Sequence, residues 1–106
     1  MTELEQIRAE AEQGDAVALN TLGVMYYDGD GVEKDYTEAV SYFRKAEALG
    51  NANAQQNLGQ VYYHGHGVPI DYMKSIEWFT KAAANGSAQA KEIMDNFGKD
   101  SGEFYD

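Results

Sequence analysis

The chain has 106 residues, a formal net charge of −10 and no cysteine, which suits one acidic domain without disulfides or thiolate metal sites. The charge argues against nucleic acid as a partner, because phosphate binding needs clusters of Lys and Arg. The polar, acidic N-terminus does not resemble a leader peptide, and no apolar run approaches the roughly 18 residues of a membrane span. The sequence therefore predicts a cytoplasmic protein that does not insert directly into membranes.

Six helices are predicted in chain order, near residues 3–13, 16–28, 36–49, 52–64, 72–85 and 88–98. Apolar residues four apart indicate an amphipathic helix, as Ala18, Leu22 and Tyr26 do in the second helix. The helices are expected to start after N-cap residues, namely Thr2 (in a capping box with Glu5), Asp15, Asp35, Asn51, Asp71 and Ser87. Glycines mark expected helix ends at Gly29, Gly50, Gly65 and Gly86. Residues 99–106 are left as an acidic tail.

The helices recur because the sequence matches itself at a shift of 36 positions. Sixteen positions keep their residue type, which in the first repeat are Ala16, Ala18, Leu22, Gly23, Tyr26, Tyr27, Gly29, Gly31, Val32, Asp35, Tyr36, Phe43, Lys45, Ala46, Ala48 and Gly50. Residues 15–50 and 51–86 are therefore two full repeats, with half a repeat at each end. Since glycine inside a helix is costly, Gly23 and Gly59 predict a close approach between the two helices of each pair.

The shared pattern A-x-x-x-L-G-x-x-Y-x-x-G-x-G-V-x-x-D-Y-x-x-A/S-x-x-Y/W-F-x-K-A resembles the Sel-1-like repeat, a relative of the tetratricopeptide repeat. The G-x-G-V-x-x-D loop distinguishes it from tetratricopeptide repeats, whose period is about 34 residues. The resemblance places residues 1–98 in one domain and departs from the family pattern at Ser75, where alanine is usual. It implies an all-α fold, a right-handed α-α superhelix (solenoid) of helix-turn-helix pairs, and a non-enzymatic adaptor or scaffold, with a bacterial source.

By analogy with tetratricopeptide geometry, one stripe of each first helix would line the concave groove of this superhelix. The stripe consists of Val17, Asn20, Val24, Tyr27, Asn53, Gln56, Gln60, Tyr63, Gln89, Glu92 and Asn96. Amides hydrogen-bond a peptide backbone, and tyrosine offers contact area at low entropic cost, so the stripe predicts a site for a protein or peptide. The alternative interpretation is that the tyrosines pack within the repeats and the amides are ordinary solvated residues.

No catalytic motif is found, and no cofactor is expected. A nucleophile elbow and a phosphate-binding loop are missing, and a Cys–His pair is impossible without cysteine. His64 and His66 flank a loop glycine, and one period earlier the same positions are Asp28 and Asp30. Neighbouring loops would bring these four side chains together as a weak site for a divalent metal. The favoured alternative is that the histidines are solvated and gain from nearby carboxylate charge.

The C-terminal end of the superhelix is expected to expose an apolar face, because the last helix carries Ile93 and Phe97. A solenoid must cover such a face. We expect either that the tail, with Phe104 and Tyr105, folds over it, or that a second molecule does so by self-association. An uncovered face with a disordered tail is the alternative.

The sequence thus predicts an adaptor that binds a protein or peptide and has no catalytic activity. The acidic charge favours a basic partner, since opposite charges speed encounter, although solubility alone also explains it. Two alternative functions stay open. One is an acidic inhibitor or immunity-type protein for a basic partner, and the other is a small enzyme or weak metal-binding protein.

Overall fold

The structure, a computed structural model, describes the backbone of residues 1–103 and the side chains of residues 1–97. The described backbone contains no strand and forms the helices α1 (Glu3–Glu12), α2 (Ala16–Asp28), α3 (Tyr36–Ala48), α4 (Ala52–His64), α5 (Tyr72–Ala84) and α6 (Ala88–Glu103). The prediction of an all-α fold is confirmed. The bounds of α1 to α5 agree with the predicted bounds to within about one residue, the usual uncertainty of a helix end.

Local hydrogen bonds start each helix at the predicted residue. The Thr2 hydroxyl accepts from the backbone N–H of Glu5 at 3.1 Å, and the Glu5 carboxylate faces the Thr2 backbone N–H, which completes the capping box. Side-chain oxygens cap the other helices in the same way, at Asp15, Asp35, Asn51, Asp71 and Ser87. At the ends of α2 and α4, Gly29 and Gly65 adopt φ values of 72° and 71°. Only glycine takes up this left-handed conformation without strain, so the chain leaves both helices at the same point of the repeat.

The two helices of each pair approach closely at a glycine. A Cβ atom at Gly23 would lie 2.5 Å from ring carbons of Phe43 in α3, and one at Gly59 would lie 2.7 Å from ring carbons of Phe79 in α5. Carbon atoms in contact are normally about 3.5–4.0 Å apart, so a larger residue would displace the ring. Because each ring is almost fully buried, the predicted close approach is confirmed, and burial of a phenylalanine offsets the cost of a helical glycine.

Each helix packs against its neighbours in the chain, so the helices form a solenoid with overall dimensions of 58 × 25 × 18 Å. Buried apolar side chains continue along its length, including those of Leu22, Phe43, Leu58, Val61 and Phe79. None of the helices in residues 1–103 is both long and apolar enough to span a membrane.

The last helix differs from its prediction. It was expected to end at residue 98, where the acidic tail would begin, but α6 continues to Glu103. The reason is local: α4 ends at Gly65, and one period later the chain has Ser101, so the left-handed stop is missing. The expected covering of the end of the solenoid by Phe104 and Tyr105 lies outside the described residues.

Candidate protein-binding groove

A cavity of about 190 Å³ lies between α2 and α4, the first helices of the two full repeats. Val24 and Tyr27 line it from α2, Gln60 lines it from α4, and the buried Phe43 ring contributes from α3. The remaining lining residues are Asp28 and Asn57. The cavity therefore joins aromatic and aliphatic surface, two amides and one carboxylate. We call it the inter-repeat groove.

A polar bridge connects the two helices beside the groove. Nδ2 of Asn57 in α4 donates to Oδ1 of Asn20 in α2 at 2.9 Å. Both side chains are only partly buried, so the bond stabilises the pairing of the repeats by about 1 kcal/mol at most. Its larger effect is positional, because it holds the Asn57 amide at the rim of the groove.

The Tyr27 ring is held by groups from both repeats. Its hydroxyl hydrogen-bonds Nδ1 of His66, which belongs to the loop after α4. The His66 ring stacks on Tyr36, with ring centroids 4.4 Å apart and planes inclined by 5°. Tyr27 also packs against Tyr36, with centroids 5.1 Å apart. The three rings form an inter-repeat cluster that fixes the wall of the groove.

The electrostatics of this cluster keep both partners of the Tyr27 bond neutral. Burial, followed by the nearby Tyr36 and Asp28, raises the pKa of Tyr27. Burial, followed by the charges of His64 and Lys34, lowers the pKa of His66. Near neutral pH the phenol is therefore protonated and the imidazole is uncharged, so the hydroxyl donates to the ring nitrogen.

Three members of the predicted stripe meet in the groove: Val24, Tyr27 and Gln60. Asn20 lies next to them in the amide bridge. The exposed members outside this cavity are Val17, Asn53, Tyr63, Gln89, Glu92 and Asn96. The predicted stripe therefore divides into a part that lines the inter-repeat groove and a part that does not.

Gln56 corrects the predicted stripe, because its side chain is buried. Its amide donates to Gln89 at 2.9 Å, and its amide oxygen accepts from the Ser87 hydroxyl at 3.1 Å. A second buried amide, Gln55, accepts from Asn85 at 2.8 Å. These amides connect α4 to the following helices, so they hold the repeats together and are not available to a ligand.

Sequence analysis did not assign Phe43, Asn57 or Asp28 to a protein-binding groove. Asn57 stands three residues before Gln60, on the same helical stripe. The sequence does not distinguish the adjacent amides Gln56 and Asn57, because an amide is equally suited to binding a ligand and to bridging helices. Asp28 was considered only as a metal ligand.

A weak metal site, the less favoured interpretation of His64, His66, Asp28 and Asp30, is not formed among the described residues. Among the described residues, no three His, Asp or Glu side chains come together in an arrangement that would hold a metal ion. His66 is instead occupied by Tyr27 and Tyr36, and the His64 ring stacks on it with centroids 5.3 Å apart. The imidazole of His66 is thus engaged by aromatic residues of the first repeat.

Among the described residues, no Lys or Arg lines the groove, and Lys34 lies beside it over the Tyr36 ring. Neither α2 nor α4 contains Lys or Arg. Arg8 of α1 donates to the Tyr26 hydroxyl at 3.1 Å, and Arg44 of α3 donates to the Tyr62 hydroxyl at 2.9 Å. Lysines lie over aromatic rings at Lys34, Lys45, Lys74 and Lys81. The groove therefore has a carboxylate, Asp28, and no cation from the two helices that form it.

A second cavity, of about 260 Å³, lies one repeat further along and is lined by Tyr63, Tyr72, Ser75, Ile76 and Phe97. Tyr63 contacts Phe97 of α6 there, with ring centroids 6.4 Å apart. This cavity is mostly apolar and contains no carboxylate.

The chain is similar to several bacterial proteins. Over 43 residues it is 44% identical to the secretory immunoglobulin A-binding protein EsiB of Escherichia coli O6:H1 (strain CFT073), a match that covers 41% of this chain and 9% of EsiB. Its fold resembles that of a protective antigen from uropathogenic Escherichia coli strains, described as displaying an SLR fold, with a TM-score of 0.82 and 40% identity. That match covers 87% of this chain and 20% of the antigen. The chain thus spans a small part of both relatives.

Helicobacter pylori cysteine rich protein B is also similar in fold, with a TM-score of 0.78 and 29% identity over 85% of this chain and 68% of that protein. The Sel1 repeat pattern itself matches residues 16–51 and 52–87, which is more than half of the chain. These are the two repeats found by self-comparison, and the resemblance seen in the sequence is confirmed. The chain belongs to the Sel1 repeat family.

Proposed function

We propose that the chain is a protein-interaction scaffold that holds a segment of a partner protein in the inter-repeat groove. The observation that carries this proposal is the cavity itself, where Val24 and Tyr27 lie beside the amides of Asn57 and Gln60. Apolar and aromatic surface suits a partner's side chain, and amides suit its backbone. Membership of a family that generally serves as a binding scaffold supports the same function. The absence of catalysis stays a prediction.

The proposed partner has a basic surface. The net charge of −10 supports this, because a field of one sign attracts the opposite charge and speeds encounter. One relative is named for binding immunoglobulin A, and this supports the proposal that the ligand is a protein. An inhibitor or immunity-type protein for a basic partner is a form of the same proposal, since it also acts by stoichiometric binding.

Affinity capture from a lysate of the source cell tests the groove. Val24→Lys places a cation and a longer side chain at the exposed rim of the cavity, and we expect it to reduce capture of the partner about tenfold or more. Met73→Lys is the matched control, because Met73 is 70% exposed on α5 and lies outside the cavity. Equal capture by the two folded variants and the wild type would remove the groove as the binding site.

A second copy of the chain is a further proposed partner, at the C-terminal end. The apolar cavity lined by Tyr72, Ile76 and Phe97 supports this, because Tyr72 and Ile76 stay exposed there. Solution mass measured at rising protein concentration tests it. Ile76→Glu is expected to keep the chain monomeric, and a wild type that is monomeric at every concentration would contradict the proposal.

A further inference from the structure

We propose that the inter-repeat groove is a pocket for one arginine side chain of the partner segment. This inference rests on the proposed function, since it presumes a protein ligand in the groove. It adds the chemistry of the residue that the groove recognises.

The size of the cavity suits one side chain. Its volume is about 190 Å³, whereas pockets for whole small molecules are roughly 300–1,000 Å³. The cavity is also open to solvent at Val24, which is 37% exposed. A side chain can therefore enter from a segment that runs across α2 and α4.

The electrostatics of the pocket favour a cation. Asp28 is the last residue of α2, and the C-terminal end of a helix carries partial negative charge from its free carbonyl groups. The carboxylate and the helix end therefore act in the same direction. No Lys or Arg lines the cavity among the described residues, and Lys34 lies outside this lining, over the Tyr36 ring.

The remaining lining groups favour a guanidinium over an ammonium. Tyr27 lines the cavity with its ring, and a planar guanidinium stacks on an aromatic face better than an ammonium does. Asn57 uses its Nδ2 to donate to Asn20, and its amide oxygen is an acceptor that suits a ligand's donors. Gln60 adds a second amide oxygen, and the forked donors of arginine match several acceptors at once.

The pocket is confined to the first junction between repeats. One period later, Asp28 is replaced by His64 and Asn57 is replaced by Ile93. The cavity at that junction has apolar and tyrosine walls without a carboxylate. The two repeats share their backbone pattern, so the difference in charge reflects these side chains alone.

The test is a titration of the ¹⁵N-labelled chain with acetyl-Gly-Gly-Arg-Gly-Gly-amide, followed by NMR. We expect saturable shifts of the side-chain amide signals of Asn57 and Gln60. Asp28→Asn should weaken binding about fivefold or more, because it removes a charge-assisted hydrogen bond. Asp30→Asn is the matched control: it changes the same charge two residues away, outside the cavity, and should weaken binding less than about twofold.

The same peptide with citrulline in place of arginine separates charge from shape. We expect no saturable shift with citrulline, which is neutral and nearly isosteric. Equal binding of both peptides, equal weakening by the two variants, or no binding of the arginine peptide to the wild type would each overturn the pocket. None of these results decides whether the wild type captures a partner that Val24→Lys does not. The scaffold function is therefore tested separately, by the capture experiment.

Discussion

The two junctions between repeats have the same framework and different surfaces. Within the repeat that precedes each junction, a helical glycine contacts a phenylalanine ring, Gly23 with Phe43 and Gly59 with Phe79. At the first junction the Tyr27 ring meets His66 from the next repeat's loop. At the second, the equivalent Tyr63 meets Phe97 of α6, which stands where Val61 stands one period earlier.

This contrast separates the residues that build the repeat from those that define a site. The glycine–phenylalanine contact recurs because it sets the distance between the paired helices, which every repeat needs. Asp28 and Asn57 do not recur, and they are the groups that give the first junction its charge and its hydrogen-bonding capacity. A surface can therefore change from polar to apolar within one chain while the packing beneath it stays constant.

The largest expected effect comes from breaking the shared framework. Gly23→Ala should lower the free energy of unfolding by about 1–3 kcal/mol, because its Cβ would lie 2.5 Å from the Phe43 ring. In a Phe43→Ala background, which itself costs about 3–5 kcal/mol, the same substitution should be neutral or stabilising by up to about 1 kcal/mol. Urea unfolding of the four proteins measures this coupling.

The same set of four proteins at Gly59 and Phe79 tests whether the second repeat behaves like the first. Because the contact there is 2.7 Å, we expect the same reversal of sign with a similar size. If Gly23→Ala destabilised the chain equally with and without the Phe43 ring, close approach would not be the reason for glycine at this position.

A smaller effect is expected at a polar contact found only in the second repeat. The Ser75 hydroxyl, which is buried, donates to the Gly59 carbonyl oxygen at 2.7 Å. Ala39 occupies the equivalent position of the first repeat and makes no such bond. Ser75→Ala should therefore lower the free energy of unfolding by about 0.5–1.5 kcal/mol. No change in thermal or urea unfolding would mean that the hydroxyl only replaces a bond to water.

The smallest expected effect is a pH dependence specific to the first junction. The pKa of His66 lies below its unfolded value of 6.5, mainly because of burial and then because of His64 and Lys34. The unfolded chain therefore binds the proton more readily, and the contribution of His66 to stability is present above pH 6.5 and lost as the pH falls towards the folded pKa. The loss is modest because the ring is only partly buried.

His66→Phe keeps the aromatic contact with Tyr36 and removes the titration. We expect its stability to fall less than that of the wild type between pH 7 and 5, measured by urea unfolding. His64→Phe is the comparison: because the charge of His64 helps to lower the pKa of His66, its removal should weaken the pH response without abolishing it. An unchanged pH profile in His66→Phe would show that other groups dominate the acid response.

Local signals explain why most of the fold was predictable. An N-cap such as Asp15 and a left-handed glycine such as Gly29 act within a few residues, so their positions define α2 without reference to the rest of the chain. The period of 36 residues then repeats the same helix pair. The end of α6 was missed because Ser101 stands at the position where Gly65 ends α4 one period earlier, so the helix lacks the stop of the preceding repeat.

The sequence by itself determined the first five helices, the repeat, the family and the close approach of the paired helices at Gly23 and Gly59, because each follows from local conformation or from self-similarity. Only the tertiary structure decided how the polar residues are used. Gln56 and Asn57 are adjacent amides, yet one is buried between helices and the other lies at the groove. Similarly, the His66 side chain hydrogen-bonds Tyr27 and not the aspartates. Such choices depend on the rotation of each helix against its neighbours, where a shift of one residue turns a side chain by about 100°.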